Sequence, residues 1–270
     1  MRSFSHTDFG DVDLSAVSVV LPARECAETI GRIVESISAG QVLVVDAASA
    51  DGTADVAARA GAEVVQEAEL LPGFGEVRGK GDAMWRALSA VRHDVVVYVD
   101  ADTKDFDAHF VTGLAGPLLA EPEIQFVKGS YTRPFVAGGA VVEDGGGRVT
   151  ELMARPLLRA FYPELAALTQ PLAGEFAGRR ELFEQIPWAT GYAAEISMDI
   201  DIWQRAGIDA IAQVDIGERR QPHQPLKSLG LMASTILAAV CGHLVEEGRM
   251  DGEAAPRADF VVRPPLVQCR

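Results

Sequence analysis

One apolar segment that ends in two carboxylates constrains this chain more than any other feature. Residues 94–102 read Asp-Val-Val-Val-Tyr-Val-Asp-Ala-Asp, so a buried strand would deliver Asp100 and Asp102 to its C-terminal end. Open α/β sheets hold their ligands at that end of their strands. Neighbouring carboxylates repel each other, and Mg²⁺ bound by one or two carboxylates completes its shell with substrate phosphates. The segment therefore favours a metal-bridged nucleotide diphosphate, although the two residues could also simply end a strand and cap the next segment.

Composition narrows the classes of protein to which the chain can belong. With 270 residues and 48% hydrophobic content, it can bury one sizeable core. We expect a single domain over residues 1–247 and a C-terminal tail over residues 248–270 that lies over the surface or frays. The formal net charge of −15 repels phosphate backbones and anionic lipid surfaces, so neither nucleic acid nor a membrane is an expected partner. Any phosphate that the chain binds needs locally concentrated cations.

Three features of the sequence point to a reducing cytoplasm and a self-associating chain. The cysteines are odd in number and lack a Cys-x-x-Cys spacing, which argues against a disulfide framework and a zinc site. Acidic residues occupy the N-terminus, where a signal peptide would need a basic start and an apolar core. The most apolar helical stretch, 231–244, is shorter than the roughly 20 residues of a bilayer span. An almost wholly apolar helix needs burial on several sides, so this stretch favours a homodimer.

Strand and helix patterns alternate along the first hundred residues. Short apolar runs are each followed by a segment with the spacing or composition of a helix, which gives three successive βα units. Such units imply a parallel sheet with right-handed crossovers. The predicted fold class is therefore α/β, with a mostly parallel central sheet flanked by helices. The predicted strands are 17–21, 42–46, 63–66 and 94–100, and the helices between them are 28–38, 53–60 and 82–92.

Beyond Asp102 the alternation is looser. The glycine-rich segment 138–147 is a candidate for a mobile loop. The remaining predicted strands are 124–131 and 210–216, and the predicted helices are 110–120, 149–160, 180–185, 193–206 and 226–247.

Three strand ends should converge at one edge of this sheet. Residues 22–25, 46–49 and 100–102 each follow a parallel strand, so they should meet at a crevice that fits a nucleotide. Asp46 could accept hydrogen bonds from a base or a ribose there, or it could cap a turn. Lys80 lies between two glycines at a helix start, where backbone amides and an ammonium favour an anion. The spacing around it does not match a P-loop, and a solvated lysine in a flexible loop is the alternative interpretation.

Many segments in one order resemble the GT-A glycosyltransferases, and most of all the actinobacterial glucosyl-3-phosphoglycerate synthases. The resemblance covers roughly residues 17–230. It rests on Val-Ser-Val-Val-Leu-Pro-Ala (17–23), Asp46 with Ser49 and Asp51-Gly52-Thr53, Gly-Lys-Gly-Asp-Ala-Met-Trp (79–85), Asp100-Ala101-Asp102, Gly-Gly-Arg-Val-Thr-Glu-Leu (146–152), Gln-Pro-Leu-Ala-Gly-Glu-Phe (170–176), Gly-Tyr-Ala-Ala-Glu-Ile (191–196) and Ala-Ile-Ala-Gln-Val (210–214).

The resemblance implies a metal-dependent transferase that moves a sugar with retention of its anomeric configuration. It implies a nucleotide sugar donor, a small acceptor, Mg²⁺ or Mn²⁺ on the diphosphate, and front-face attack in which the leaving phosphate takes the acceptor's proton. Catalytic roles would fall to Asp102, Glu195 and Arg148. The nucleotide would contact Pro22, Ala23, Glu25, Asp46, Ser49, Lys80, Asp100 and Ala101, and the donor sugar would contact Gly174, Glu175, Tyr192 and Glu195. The acceptor, a phosphorylated carboxylic acid in the synthases, would contact Gly147, Arg148, Thr150 and Arg219, and the metal would be held by Asp102 and His223.

The chain departs from the synthases near the base, the metal and the acceptor. A carboxylate such as Glu25 can accept from a guanine N–H edge, so we expect GDP to bind at least as well as UDP. Gln221 stands where the synthases carry a metal-binding histidine, and His223 could replace it or be a solvated loop residue. Arg219 matches an acceptor-side arginine or is a surface charge. These changes favour a paralogue of specialised metabolism, such as the S-glycosyltransferase that modifies ergothioneine in lincosamide biosynthesis, with a glucosyl-3-phosphoglycerate synthase as the alternative.

Two other classes of protein remain open. A nucleotidyltransferase also places carboxylates beside a strand, but it usually opens with a glycine-rich loop, which the segment 22–25 is not. Release of pyrophosphate would identify it. A non-catalytic nucleotide-binding or scaffold protein is supported only by the altered metal segment.

Overall fold

A mostly parallel sheet organises the chain. The structure, a computed structural model, describes residues 1–137, 140–142, 146–219 and 226–269. Its strands are β1 (Arg2–Ser5), β2 (Val17–Ala23), β3 (Gln41–Asp46), β4 (Glu63–Gln66), β5 (Val95–Tyr98), β6 (Phe126–Thr132), β7 (Phe135–Ala137), β8 (Ala140–Val142), β9 (Phe176–Arg179), β10 (Trp188–Ala189), β11 (Ile211–Glu218) and β12 (Val262–Arg263). Eight of them form one sheet in the order β1-β11-β6-β9-β5-β2-β3-β4, in which β9 runs antiparallel to both of its neighbours. The predicted α/β class is confirmed.

Helices cover both faces of this sheet. They are α1 (Ile30–Ser36), α2 (Thr53–Arg59), α3 (Lys80–Ala87), α4 (His109–Ala120), α5 (Arg155–Phe161), α6 (Arg180–Gln185), α7 (Ala194–Ala206) and α8 (Leu226–Glu246), and a π-helical turn at Thr150–Ala154 leads into α5. The core is accordingly divided by the sheet into two apolar clusters. Helices α1, α2 and α4 contribute to one cluster, and α3 and α5–α8 contribute to the other.

The parallel strands β2, β3 and β5 place their C-terminal ends at one edge. All three are rich in Val and Leu, as expected for strands that are covered on both faces. Ala23 lies opposite Asp46 in the β2–β3 register, and β5 pairs with β2 on its other side. The three segments that follow these strands therefore share one edge of the sheet, as the sequence predicts.

Several strands are absent from the sequence-based prediction. The antiparallel β9 has only four residues, two of them Ala and Gly, so it carries no clear strand pattern. The short β1 has a single apolar residue, Phe4, and pairs with β11, which is remote in sequence. The segment predicted as a mobile loop contains part of a hairpin, because β7 pairs with β8. Residues 138–139 and 143–145 of that segment lie outside the described residues.

The C-terminal tail is packed onto the domain between residues 260 and 269. Strand β12 pairs with β10, Leu266 is buried, and the indole N–H of Trp85 donates to the Pro264 carbonyl at 3.0 Å. Of the two expected alternatives for the tail, fraying is therefore wrong for these residues, and packing over the rest of the domain holds. The sequence of the tail, with three prolines and no helical periodicity, does not indicate this pairing. The partner strand β10 is remote in sequence, so no local pattern could reveal it.

Helix α8 confirms the long helix predicted over residues 226–247. Its 21 residues have the length and the apolarity to cross a membrane, so the expectation drawn from the stretch 231–244, that the apolar helix is too short for a span, is wrong. However, 44% of its most apolar window is buried inside the fold, and core helices of soluble proteins share this composition. Its buried face packs on α7 and includes Ile236, Val240 and Leu244.

The contact between α7 and α8 makes stability depend on pH. Asp201 has an 11% exposed side chain, its Oδ1 lies 3.8 Å from Nδ1 of His243, and burial with the Glu246 carboxylate raises its pKa to about 8. A raised carboxyl pKa means that the protonated form stabilises the fold. This stabilisation is complete below about pH 4 and is lost as the pH rises through about 8.

We therefore expect Asp201→Asn to gain stability relative to the parent chain between pH 4 and pH 8. The gain in the free energy of unfolding should be at least about 1 kcal/mol, because one unit of pKa shift corresponds to about 1.4 kcal/mol. Denaturant titrations at the two pH values measure it. Asp11→Asn, at an exposed position, is the matched control and should show no such gain. An equal effect of Asp201→Asn at both pH values would contradict the raised pKa of this carboxyl group.

Candidate active site

The segments after β2 and β3 are held together by hydrogen bonds between them. The Glu25 amide donates to Ser49 Oγ at 2.9 Å, and the Glu25 carboxylate accepts from the Ala50 amide at 2.8 Å. The Ala47 amide donates to the Ala23 carbonyl at 2.9 Å. Glu25 and Ala48 adopt left-handed backbone conformations with φ of +52° and +53°, which non-glycine residues rarely do outside functional sites.

Asp46 ends β3 with one unused acceptor. Its Oδ2 accepts from the Ser49 amide at 3.1 Å and from Gln66 Nε2 at 3.0 Å. Its Oδ1 is buried and has no hydrogen-bond partner among the described residues. A buried acceptor without a partner is costly unless a ligand or an ordered water supplies the donor. Asp46 thus both caps the turn and offers an acceptor to a ligand, so both readings of the sequence apply.

Asp100 is enclosed by two cations. Lys80 Nζ contacts its Oδ1, and Arg219 Nη2 donates to its Oδ2 at 2.7 Å. Burial alone would raise the pKa of Asp100, but Lys80 and Arg219 lower it well below the ordinary value. The carboxylate is therefore ionised at neutral pH and fixed in place.

Lys80 begins α3 directly after Gly79, whose φ of +76° sets the turn into the helix. Besides Asp100, its ammonium lies 3.7 Å from Oε1 of Glu195 on α7. Burial would lower the pKa of Lys80, yet these two carboxylates raise it, so the group stays charged. The start of α3 and the ammonium both favour an anion, and the ammonium is already paired with these two carboxylates.

Arg219 is the buried partner of three acidic side chains. Only 2% of it is exposed, so it is not a surface charge. Its Nη1 contacts the Glu175 carboxylate, its Nη2 lies 3.9 Å from Oδ1 of Asp102, and its guanidinium lies 5.6 Å from the centre of the Tyr131 ring. Arg219 is therefore buried against the three carboxylates. An acceptor-side role would have to act from that position.

Glu175 is fully enclosed at this cluster. Burial raises its pKa, and the Arg219 cation opposes the shift. Neither of its carboxylate oxygens accepts a hydrogen bond from the described residues. Its carbonyl accepts from the Gly129 amide at 2.8 Å, and a Cβ at Gly129 would lie only 3.2 Å from that of Glu175. Gly129, which was not among the predicted site residues, therefore makes room for Glu175.

Asp102 differs from Asp100 in its exposure. Its side chain is 67% exposed, so its oxygens face the open edge of the sheet. One accessible carboxylate suits a divalent metal that takes its other ligands from diphosphate oxygens and water. No group of three or more His, Cys, Asp or Glu side chains forms a complete protein metal site in the described part of the chain. His223 and Gln221 lie outside the described residues, so the structure leaves their roles open.

Tyr192, assigned to the donor sugar, and three of the residues assigned to the acceptor lie on two different turns. Tyr192 is 42% exposed and follows Gly191, which has φ of +61°. Gly147, with φ of +68°, begins the helical turn that carries Arg148 and the buried Thr150. A Cβ at Gly147 would lie 4.0 Å from Oε1 of Gln170, whose Nε2 donates to the Tyr131 carbonyl at 3.1 Å, which connects this turn to the Arg219 cluster.

Three supporting residues were not predicted from the sequence. Gln66 ends β4 and binds Asp46, Thr29 donates to the Ala101 carbonyl at 2.6 Å, and Thr103 Oγ1 lies 3.1 Å from Arg219. Gln66 could have been predicted as a site residue, because it ends a fourth parallel strand next to Asp46. The two threonines had no such signal.

Comparisons with known proteins agree with this geometry. Residues 18–136 match the model of "Glycosyl transferase family 2". The chain is 39% identical to glucosyl-3-phosphoglycerate synthase from Petrotoga mobilis, over 93% of this chain and 82% of the relative. It is similar to mannosyl-3-phosphoglycerate synthase from Rubrobacter xylanophilus, with 44% identity, coverage of 100% and 96% of the two chains, and a TM-score of 0.91. It is also similar to glucosyl-3-phosphoglycerate synthase from Mycobacterium tuberculosis in complex with Mn²⁺, UDP-glucose and phosphoglyceric acid, with 39% identity, coverage of 94% and 91%, and a TM-score of 0.81.

The space around the Asp100 cluster depends on Gly174. A Cβ at this position would lie 2.3 Å from Lys80 Nζ and 2.8 Å from Asp100 Oδ1. The flexible lysine would have to leave its ion pair, while the fold could remain.

We expect Gly174→Ala to lower the affinity for UDP with Mn²⁺ at least about tenfold, since a lost charge-assisted contact costs on the order of 1.5–3 kcal/mol. Calorimetry measures the affinity, and a thermal melt checks that the chain is folded. Gly10→Ala, where a Cβ meets nothing within 4 Å, is the matched control. Unchanged affinity in a folded Gly174→Ala chain would mean that the ion pair is irrelevant to nucleotide binding.

Proposed function

This chain belongs to glycosyltransferase family 2, together with the glucosyl-3-phosphoglycerate synthases, and we propose that it transfers glucose from UDP-glucose to a hydroxyl of 3-phosphoglycerate. The observation that carries the proposal is the cluster around Asp100. In this cluster, Lys80 and Arg219 contact Asp100 at the C-terminal ends of the parallel strands. The buried Glu175 lies there too, as does Asp102, an accessible carboxylate of the kind that binds a divalent metal. This is the arrangement that a diphosphate with a metal requires.

The comparisons confirm some of the expectations drawn from the sequence and do not support others. The predicted glycosyltransferase activity is confirmed, and Mn²⁺ accompanies UDP-glucose in a solved relative, as expected for a metal-dependent transferase. The preferred role in specialised metabolism finds no support, and the similarity favours the alternative, a glucosyl-3-phosphoglycerate synthase. No nucleotidyltransferase or scaffold protein needs to be invoked.

Recognition of the nucleotide falls to the segments after β2 and β3. The buried Oδ1 of Asp46, which has no hydrogen-bond partner among the described residues, would accept the N–H of a uracil ring. One oxygen of the Glu25 carboxylate accepts from the Ala50 amide, and a carboxylate can accept further hydrogen bonds, so the expected contact with a guanine base stays a prediction and the proposal of UDP rests on the solved relative with UDP-glucose. Pro22, Ala23 and Ser49 lie on the same two segments and would border the base and ribose.

Charge stabilisation falls to the residues around the diphosphate. Asp102 would hold the divalent metal, which when bound neutralises charge that grows on the leaving group. Lys80 offers an ammonium that Asp100 and Glu195 keep protonated. Asp100 and Ala101 would lie against the ribose and phosphates. Because these groups are held before the ligand arrives, little reorganisation is needed during transfer.

The sugar and the acceptor would meet between α7 and the turn at Gly147. Glu195 and Tyr192 would bind the hydroxyl groups of the donor sugar, with Gly174 and Glu175 beneath it. Gly147, Arg148 and Thr150 would bind the carboxylate and phosphate of the acceptor, for which a guanidinium beside glycine amides is well suited. Transfer would retain the anomeric configuration, with the leaving phosphate accepting the acceptor's proton.

A mannose donor is the second candidate. It is favoured by the full-length match to the mannosyl-3-phosphoglycerate synthase of Rubrobacter xylanophilus. Both sugars would meet the same acceptor site, so the donor must be decided by assay.

A cytoplasmic homodimer is part of the proposal. Leu226 and Leu231 in the first half of α8 are 76% and 65% exposed, and Leu152 on the adjacent π-helical turn is exposed as well. A second copy of the chain would cover these side chains, which are costly to leave in water.

Binding and transfer assays test the donor and the metal together. We expect UDP with Mn²⁺ to bind at least about tenfold more tightly than GDP, and EDTA to remove most of the affinity. Asp102→Asn should abolish the response to the metal and lower transfer at least about a hundredfold, because the metal supplies several kcal/mol to the transition state. Asp105→Asn, at a nearby exposed position, is the control.

Each alternative has its own outcome in these assays. Tight GDP binding with transfer of mannose would select the second candidate. Transfer by Asp102→Asn at the parental rate would contradict the metal role, and absence of transfer to 3-phosphoglycerate from either donor would refute the proposed acceptor.

The acceptor site is tested at Arg148. We expect Arg148→Ala to raise the KM for 3-phosphoglycerate at least about tenfold and to leave donor binding near the parental value, because one charge-assisted contact corresponds to about a decade. Lysine should rescue only part of the loss, since it keeps the charge without the planar fork. Arg159→Ala, an exposed arginine on α5, is the control. A weaker donor affinity with an unchanged acceptor KM would place the acceptor elsewhere.

A further inference from the structure

We propose that the C-terminal segment 260–269, which we call the strap, fixes the width of the donor-sugar cleft, and that Arg263 is its positioning residue. The inference rests on the proposed function for the location of that cleft, between Lys80 on α3 and Tyr192 before α7. The strap contacts both walls of the cleft. The first wall is the start of α3 with the loop before it, and the second is the turn that carries Tyr192.

On the first wall, Arg263 holds the start of α3. Its Nε and Nη2 donate to the two Asp82 carboxylate oxygens at 2.9 and 2.6 Å, a two-point contact. Its Nη1 and Nη2 also donate to the carbonyls of Phe74 and Glu76 at 2.9 and 3.2 Å. Asp82 lies in the first turn of α3, two residues after Lys80, and its side chain is fully buried. The guanidinium therefore fixes both the helix that carries Lys80 and the loop that leads into it.

On the second wall, the strap holds the turn that carries Tyr192. The amide and carbonyl of Val261 are hydrogen bonded at 2.9 Å to Thr190 Oγ1 and to the Thr190 amide. Strand β12 pairs with β10 directly before that turn, with Arg263 opposite Trp188. A shift of the strap would therefore move residues 190–192.

The two walls already meet at their base. A Cβ at Gly81 in α3 would lie 2.5 Å from the carbonyl of Ala189 in β10, and a Cβ at Gly79 would lie 3.8 Å from Cα of Gly191. The backbones of the two walls are in close contact at their base, and the strap holds both walls. The distance between the walls at the open side of the cleft, where the sugar would enter, is therefore fixed. A cleft of fixed width distinguishes sugars that differ in one hydroxyl group by leaving polar groups of the wrong sugar unpaired.

Loss of Arg263 should displace these walls without unfolding the chain. Asp82 would still accept from Arg86 Nε at 3.2 Å and from the Arg78 amide at 2.8 Å, so the buried carboxylate is not left unpaired. Arg86 also donates to carbonyls of the same loop, at residues 70, 71 and 75. A strap that only stabilised the fold would leave sugar selectivity unchanged in the folded variant.

The test compares Arg263→Met and Arg263→Lys with the parent chain and with Arg257→Met, an exposed arginine of the same tail that serves as the control. We expect Arg263→Met to lower the ratio of kcat/KM for UDP-glucose over UDP-galactose at least about tenfold, the range by which single groups discriminate substrates. The KM for 3-phosphoglycerate should stay within about twofold of the parent value. Lysine should restore the ratio only in part, because it cannot contact both carboxylate oxygens.

Hydrogen exchange supplies a readout that does not depend on activity. Backbone amides of residues 80–83 and 190–192 should exchange faster in Arg263→Met than in the parent or in Arg257→Met, at a temperature where all three are folded. Unchanged exchange and unchanged selectivity would overturn the role of the strap. Faster exchange in Arg263→Met, found together with a parent chain that itself transfers no sugar from any nucleotide donor, would refute the proposed function and leave the positioning role of the strap established.

Discussion

The ion pairs that hold Asp100 between Lys80 and Arg219 are the interaction on which the rest of the site depends. Each charge comes from a different part of the chain: the start of α3, the end of β5 and the end of β11. Buried charges are stable only when they are paired, so these three elements must come together in one arrangement. Gly174 leaves the space for the pairs, and Glu175 follows it against Arg219. This cluster sets two cations against the carboxylates of Asp100, Asp102, Glu175 and Glu195, so in a chain with a net charge of −15 an anionic diphosphate would also need the charge of a divalent metal at Asp102.

The sequence predicted the parts of the site that depend on local patterns. Apolar runs with few polar interruptions identify β2, β3 and β5, and their parallel direction follows from the helices between them. Once these strands are placed, the position of Asp46, Lys80, Asp100 and Asp102 near one edge follows from topology. The family resemblance added the roles of the residues, which spacing alone does not provide.

The parts that the sequence did not reveal depend on contacts between remote residues. In the sequence, Arg219 cannot be distinguished from a surface cation, because only the fold shows that it contacts Asp100 and Glu175. Strand β9 has too few residues for a pattern that would predict its pairing. Arg263 meets Asp82 across 181 positions of sequence. Glu25 shows a related point: in its left-handed conformation one carboxylate oxygen accepts from the Ala50 amide, which side-chain chemistry alone cannot show, and its contact with a guanine base stays a prediction.

The pairing of β1 with β11 ties assembly of the sheet to synthesis of residues 211–218. Strand β1 cannot pair before those residues are made, and β5 must wait for β9 before its second edge is covered. Until then, apolar strands with unpaired backbone groups are open to pairing with other chains. A nascent chain of this topology gains protection from aggregation only late in synthesis, so speed of translation and access to chaperones bear on its yield more directly than the stability of the finished fold.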